Sequence, residues 1–385
     1  MTHKTLFINK AIDFLVTNKD GLYIDCTFGL GGHSKQILNR LSTNGRLIAI
    51  DNDLISQKFV KHLGISFDKR FSLINTNFSN LEVIAKQQNL FGKVSGIILD
   101  LGISTYQIKD YKRGFSFFIN GPLDMRLNNT LGLTACDFLN HYKLKQILKI
   151  FKTYGDDGFL YRLTQQLCNR RNQFPFKMTL ELSNLIKQIY FTKYHIKHKT
   201  LKTKTFKKHK KQQIKPKHMF INNKHKTINT KQIKQHKEIN TTINNHTNKN
   251  INTGTKQPNY THYNNLYNQL FKINNNKHTA NNIKQCKINK HTNKSIHPAT
   301  KIFQAIRSYI NKEMQNLEIV IITSFKLLKQ NTNLIIITFN SLESHLVKQV
   351  LKTSFNTIIT LYPSIEEVIY NNSSRCSTMF LIKKL

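Results

Sequence analysis

Short apolar runs alternate with amphipathic stretches through the first hundred residues. Leu22-Tyr-Ile-Asp-Cys-Thr-Phe28 is an apolar run ending in glycines, and His33 to Leu41 follows with Ile37, Leu38 and Leu41 on one helical face. Gly45 breaks that helix. Arg46–Asp51, Phe71–Phe78 and Gly96–Gly102 read as a second, third and fourth strand. Strands this apolar are buried on both faces, as in a parallel sheet covered by helices. After Gly121-Pro122 the period turns helical. Thr134 caps a helix through His141, and Lys143–Phe151, Gly158–Arg171 and Leu180–Tyr190 continue the pattern. Further on, Pro298 opens one long helix in which Ile302, Phe303, Ile306, Ile310, Met314 and Leu317 keep helical spacing. Asn333–Phe339, Thr357–Leu361 and Thr378–Ile382 then read as three more strands, the last able to form a hairpin. Seven strands and their helices predict an α/β fold with a doubly wound sheet and an inserted small helical domain.

Composition changes this picture in one place. From Tyr190 to Ile296 the chain is built mainly of Lys, Asn, Thr, His, Ile and Gln, and no period persists. These 107 residues hold 24 Lys, no Arg and a single acid, Glu238. High charge with little apolar content predicts a long, low-complexity, disordered insertion. The expected organisation is therefore 1–112 as the first part of the sheet domain, 113–189 as the helical domain, 190–296 as the insertion, and 297–385 as the rest of the sheet domain. The net charge of +39 suggests nucleic-acid binding, but +23 of it lies in the insertion, leaving +16 elsewhere. A basic tether for RNA is one reading of the insertion. Drift toward Lys, Asn and Ile codons is the other, and the absence of Arg's bidentate fork favours it.

Other features set limits. No apolar run is long enough to span a bilayer, and the start, Met1-Thr-His-Lys-Thr5, lacks the apolar stretch of a signal peptide. A soluble protein of the cytoplasm is expected, with an organellar matrix as the alternative. Five scattered cysteines form no C-x-x-C pair, and the ten histidines of the insertion show no paired ligand spacing. No metal site is expected.

Ligands of doubly wound sheets bind at the carboxyl ends of the strands, where strand order reverses. Strand one ends in Gly29-Leu-Gly-Gly-His33, where glycines let a ligand approach the backbone. Strand two ends in Asp51, about 20 residues on, where an acid can hold the hydroxyls of a ribose. Together they indicate a nucleoside-bearing cofactor. A dinucleotide would call for G-x-G-x-x-G, and the third glycine position holds Ser34. That tilts the reading from NAD and an oxidoreductase toward S-adenosylmethionine, whose methionine tail carries no phosphate. Phe78 is placed to stack on adenine or to pack in the core. Asp100 is placed to bond the cofactor, to approach a reacting amine, or to cap the next turn. Arg113 to Arg126 is either a substrate-facing loop or a buried loop with an internal Asp124–Arg126 salt bridge.

Longer motifs carry a resemblance. Asp25-Cys-Thr-Phe-Gly-Leu-Gly-Gly-His-Ser34 is similar to D-[GA]-T-F-G-x-G-G-H-S, and Leu99-Asp-Leu-Gly-Ile-Ser104 to L-D-L-G-V-S, with Gln107 at the matching distance. Arg113-Gly-Phe-Ser-Phe117, Gly121-Pro-Leu-Asp-Met-Arg126, His297-Pro-Ala-Thr300 and Phe303-Gln-Ala-Ile-Arg307 match R-G-F-S-F, G-P-L-D-M-R, H-P-A-T and F-Q-A-L-R. Over residues 3–189 and 297–385 the chain resembles the RsmH family, also called MraW, the 16S ribosomal RNA cytidine N4-methyltransferases.

The resemblance implies a Rossmann-like class I methyltransferase sheet. It also implies S-adenosyl-L-methionine as cofactor, held at Gly31, Gly32, His33, Asp51, Phe78, Asp100 and Gln107. Its implied reaction is methylation of N4 of a decoding-centre cytidine in 16S rRNA within the small ribosomal subunit. Asp100 and Asp124 are the catalytic candidates, as acceptors facing the charge that develops on the amine. Arg162, Arg170 and Arg171 of the helical domain face either RNA or solvent. A homodimer is left open. The family's S-F-H-S-L-E-D-R stands here as Thr338-Phe-Asn-Ser-Leu-Glu-Ser-His345, its G-E-E as Gly155-Asp-Asp157, and its N-P-R-x-R-S-A as Asn371-Asn-Ser-Ser-Arg-Cys-Ser377. These departures keep an RNA-binding member without turnover as a rival reading.

Overall fold

The structure, a computed structural model, describes residues 5–154, 158–192, 297–352 and 358–385. The lysine-rich stretch from 193 to 296 and the Gly155-Asp-Asp157 triplet lie outside the described residues. The apolar runs form seven strands: β1 (Leu22–Asp25), β2 (Arg46–Asp51), β3 (Phe71–Asn75), β4 (Val94–Asp100), β5 (Leu328–Thr338), β6 (Ile358–Leu361) and β7 (Thr378–Lys383). They lie in one sheet in the order β3-β2-β1-β4-β5-β7-β6. From β3 to β5 all neighbours are parallel, and β7 runs antiparallel to both β5 and β6. The strand order reverses between β1 and β4, which places the ligand crevice there.

The central strands explain their own burial. Leu47, Ile48, Ala49 and Ile50 of β2, and Ile97, Ile98 and Leu99 of β4, are fully buried. Helices cover both faces, so alternate residues of one strand all find apolar partners. One core centres on the sheet and includes Ile24, Ile48, Ile97, Leu334 and Phe380. A second core is helical and joins Phe138, Phe151, Leu163, Phe176 and Ile186. Its helices are Ala135–His141, Leu144–Lys152, Gly158–Arg171 and residues 179–192. The first of them starts at the expected cap. The Thr134 hydroxyl accepts from the Asp137 N–H, and the Asp137 carboxylate accepts from the Thr134 N–H, each at 3.1 Å.

The single long helix expected after Pro298 is two helices, Ala299–Ile310 and Glu313–Leu327. Lys312 takes the left-handed conformation between them, at φ 52°. Tertiary bonds hold the break. The Asn311 side chain accepts from the Leu127 N–H at 2.8 Å and donates to the Met125 carbonyl at 2.8 Å. Arg307 reaches across to Glu313 with bonds of 2.7 and 3.0 Å. The apolar period runs on through the break because both halves are buried, but in different cores. Ile302, Phe303 and Ile306 join the helical core, and Leu317, Val320 and Ile321 join the sheet core.

Candidate active site

The carboxyl ends of β1, β2, β4 and β5 surround a cleft of about 340 Å³. Of the seven cofactor positions the motifs imply, Gly32, His33, Asp51, Phe78, Asp100 and Gln107 line it. Gly31 stands just behind, as the residue that opens the helix Gly32–Arg40 at φ 77°. A Cβ there would be strained by that φ and would run into Leu63 and Phe28. A Cβ on Gly32 would run into the Thr5 hydroxyl. The loop is therefore a backbone surface closed tightly on its protein side. Phe78 is half-buried against the sheet core and shows its remaining surface to the cleft.

Asp51 is fixed by backbone donors. Its Oδ2 accepts from the Gly29 N–H at 2.6 Å and its Oδ1 from the Asp53 N–H at 2.7 Å. Asp25, beneath the loop, accepts from the Ser34 hydroxyl at 2.6 Å and the Thr27 N–H at 3.1 Å. The Thr27 hydroxyl in turn accepts from the Asp100 N–H at 2.6 Å, which ties β1 to the end of β4. Asp100 Oδ2 lies 3.5 Å from His33 Nδ1. Asp100 Oδ1 is buried without a hydrogen-bond partner. An orphaned carboxylate oxygen costs free energy unless a ligand meets it.

Four carboxyls share this electrostatic condition. Burial raises Asp25 to about 6. Burial, with repulsion from Asp53 and Asp25, raises Asp51 to about 7. Burial, then the charges of Asp25 and Glu343, raises Asp100 to about 8. Glu343 also lines the cleft, and burial raises it to about 7. A cleft whose acids resist ionisation fits a ligand that brings positive charge and no phosphate.

Gln107 serves a different bond. Its side-chain oxygen accepts from the Ser104 N–H at 2.8 Å, and its amide donates to Asp53 Oδ2 at 2.7 Å. Arg113 donates to the same oxygen at 2.9 Å and reaches the Arg126 and Leu127 carbonyls at 3.0 and 2.7 Å. The loop 113–126 is thereby pinned to the end of β2. Its close fit explains Gly121, where a Cβ would collide with the Tyr111 carbonyl. Asp124 does not line the cleft. Arg126 binds both of its carboxylate oxygens at 2.8 Å.

Sequence reasoning missed Asp53, Arg307, Glu313 and Glu343 as members of this region. Arg307 and Glu343 do stand inside quoted motifs, which was the available signal. Nothing local marked Asp53, whose side-chain partners on Oδ2 are 54 and 60 positions away. The departures at 340–345 are locally satisfied. Asn340 Oδ1 accepts from the Glu343 N–H at 2.9 Å, as a helix cap does, and Ser344 bonds Thr338 at 2.7 Å. His345 is exposed.

A doubly wound sheet with β7 reversed, a glycine turn after β1, an acid after β2 and a cleft that calls for a cation define a class I, S-adenosylmethionine-dependent methyltransferase. The chain belongs to the MraW methylase family, whose sequence profile matches residues 1–210 and 225–385. Among similar proteins, the ribosomal RNA small subunit methyltransferase H of Buchnera aphidicola (subsp. Acyrthosiphon pisum, strain APS) is 32% identical over 375 residues, covering 97% of this chain and 88% of that protein. The protein of the same name from Hamiltonella defensa (subsp. Acyrthosiphon pisum) is 41% identical over 196 residues, 51% of this chain and 62% of the other. The one from Legionella pneumophila (strain Corby) is 39% identical over 186 residues, covering 48% and 60%.

Proposed function

We propose that this chain methylates the exocyclic N4 of a decoding-centre cytidine in the 16S rRNA of the small ribosomal subunit. The observation that carries the reading is the buried, unpartnered Oδ1 of Asp100, at the end of β4 beside the glycine turn. The family membership and the names of the similar proteins supply the substrate class. A ribosomal substrate puts the reaction where ribosomes are, in the cytoplasm or an organellar matrix.

The residues that would hold the cofactor are those of the cleft. The 29–33 backbone would accommodate its aminoacyl end, Asp51 would take the ribose hydroxyls, and Phe78 would lie against the base. When bound, S-adenosylmethionine supplies a methyl group on a positively charged sulfur. The exocyclic amine of cytidine is a weak nucleophile because its lone pair is delocalised into the ring. Asp100 addresses that weakness in two ways. Its carboxylate holds an amine N–H and so aims the nitrogen. It also accepts the proton that the amine must lose as the new N–C bond forms and the S–C bond breaks. Its raised pKa makes the ionised form a stronger base, and the positive charge of the bound cofactor would favour that ionised form. Asp124, locked to Arg126, orders the loop 113–126 instead, and the helical region 113–189 presents that loop to RNA. The target base must leave its stack to reach the cleft.

Methylation of small subunits from cells lacking this modification, followed by nucleoside mass spectrometry, tests the reading. N4-methylcytidine is the expected product. Tight S-adenosylmethionine binding with no methyl transfer to those subunits would overturn it.

A further inference from the structure

Outside the cleft, three rings meet at the junction of the loop 113–126 with the returning chain. Phe117 stacks on His297 with centroids 4.7 Å apart and planes within 13°. Phe118 lies against both, at 4.6 Å from Phe117 and 5.2 Å from His297. Phe303 packs under Phe117 at 5.5 Å. Phe118 nevertheless leaves 69% of its surface open, and its neighbour Ile119 leaves 42%.

The exposure is held by the backbone. The Phe118 and Ile119 N–H groups both donate to the Ser116 hydroxyl at 3.2 Å. The Thr179 hydroxyl donates to the Ile119 carbonyl at 2.9 Å and accepts from the Gly121 N–H at 3.1 Å. The Leu180 N–H adds a bond to Asn120 at 3.3 Å. Phe118 is thus presented on a braced turn.

Its surroundings are cationic. Lys187, on the helix of residues 179–192, lies close enough to join burial in holding the His297 imidazole below its ordinary pKa, so the ring stacks in its neutral form at pH 7. Lys301 is exposed one turn beyond His297. The cleft is near along the same helix. Gln304, next to Phe303, lines it, as does Arg307 one turn on, a rise of about 6 Å from Phe303.

We propose that the Phe118 face of this aromatic–histidine stack is a docking surface for a base of single-stranded RNA flanking the nucleotide to be methylated. Lys187 and Lys301 face its phosphates. The inference rests on the RNA reading above. Stacking on a fixed aromatic tolerates any base, which suits a contact that positions a strand rather than reads it. An exposed apolar ring among lysines also matches a ligand that has an apolar face and an anionic backbone.

The test uses the full chain with saturating S-adenosylmethionine and a short single-stranded RNA carrying 2-aminopurine, whose fluorescence falls on stacking. Phe118→Ala is expected to weaken RNA binding roughly five- to 150-fold and to abolish the quench. Phe118→Trp is expected to keep both, and calorimetry is expected to show unchanged S-adenosylmethionine affinity in each variant. Lys187→Ala is expected to lower the slope of log affinity against log salt by about one. Wild-type quench and affinity in Phe118→Ala would overturn the docking surface. Should the wild-type chain methylate small subunits while Phe118→Ala shows an unchanged KM, the docking surface fails and the function stands. Should the wild-type chain neither bind this RNA nor methylate subunits, both fail.

Discussion

The cleft and the loop 113–126 both rest on aspartates, and the two regions treat them in opposite ways. In the cleft, Asp100 has one carboxylate oxygen without a partner, and burial raises its pKa to about 8. In the loop, Arg126 meets both oxygens of Asp124. Asp53 at the boundary follows the loop, receiving Arg113 and Gln107 on one oxygen. Asp124 has both oxygens met without a ligand, and Asp100 does not. Incompleteness marks where a cation is wanted, and completeness marks a scaffold. The same residue type in two quoted motifs therefore takes two kinds of work, and only its partners distinguish them.

The sharpest way to break this contrast is at the glycine turn. Gly31→Val is expected to abolish S-adenosylmethionine binding, at least a hundredfold in Kd by calorimetry, because the new side chain would meet Leu63 and Phe28 in a left-handed backbone. Unchanged affinity would remove the cofactor from this loop.

Next in size is the pair of aspartates themselves. Asp100→Asn is expected to lower kcat by roughly 10²–10⁴ with a much smaller change in cofactor Kd. Asp124→Asn is expected to leave kcat within a few-fold and to cost about 1.5–3 kcal/mol of stability through the loss of a charged, bidentate bond. Single-turnover methylation and urea unfolding read the two effects. Reversed outcomes would interchange the roles of cleft and loop.

Arg113→Met tests the boundary. It leaves buried Asp53 with Gln107 as its remaining side-chain partner and is expected to destabilise the chain by about 3–5 kcal/mol in urea unfolding. A neutral result would mean that the loop is not held through β2.

The smallest effect is on pH dependence. Asp25, Asp51, Glu343 and Asp100 stand at about 6, 7, 7 and 8, above the ordinary carboxylate range. The folded chain without ligand then binds more protons than the unfolded chain between about pH 4 and 8, so its stability falls as pH rises through that window. A cationic ligand favours the ionised forms. S-adenosylmethionine affinity is therefore expected to rise between pH 6 and 8, by up to about tenfold per pH unit. Calorimetry across that range would show a flat profile if the carboxyls do not face the cation.

Much of the fold was legible because its signals are local. β2 starts and ends where its apolar run does, and the Gly158–Arg171 helix matches its period. Thr134 caps its helix as expected, and the structure adds Asp137, three residues on, as its reciprocal partner. Phe78 lies beyond the end of β3 in a short 3-10 turn, because Asn77 caps that turn through the Ser79 N–H. The break at Lys312 was hidden, since hydrophobic spacing records burial and does not record which core does the burying. Asp53 escaped notice as a site residue for a related reason: the side chains that meet its Oδ2 come from distant parts of the chain.

The sequence by itself determined the strands, the glycine turn, the acid that follows it and the family, because each is written in adjacent residues. Tertiary structure alone decided which carboxyls remain unpaired. Asp100 and Asp124 have similar motifs around them, and pairing is a matter of which groups the fold brings within about 3 Å. It also decided that Phe118 stands in the open on a braced turn, since exposure belongs to the packed surface and not to any one residue.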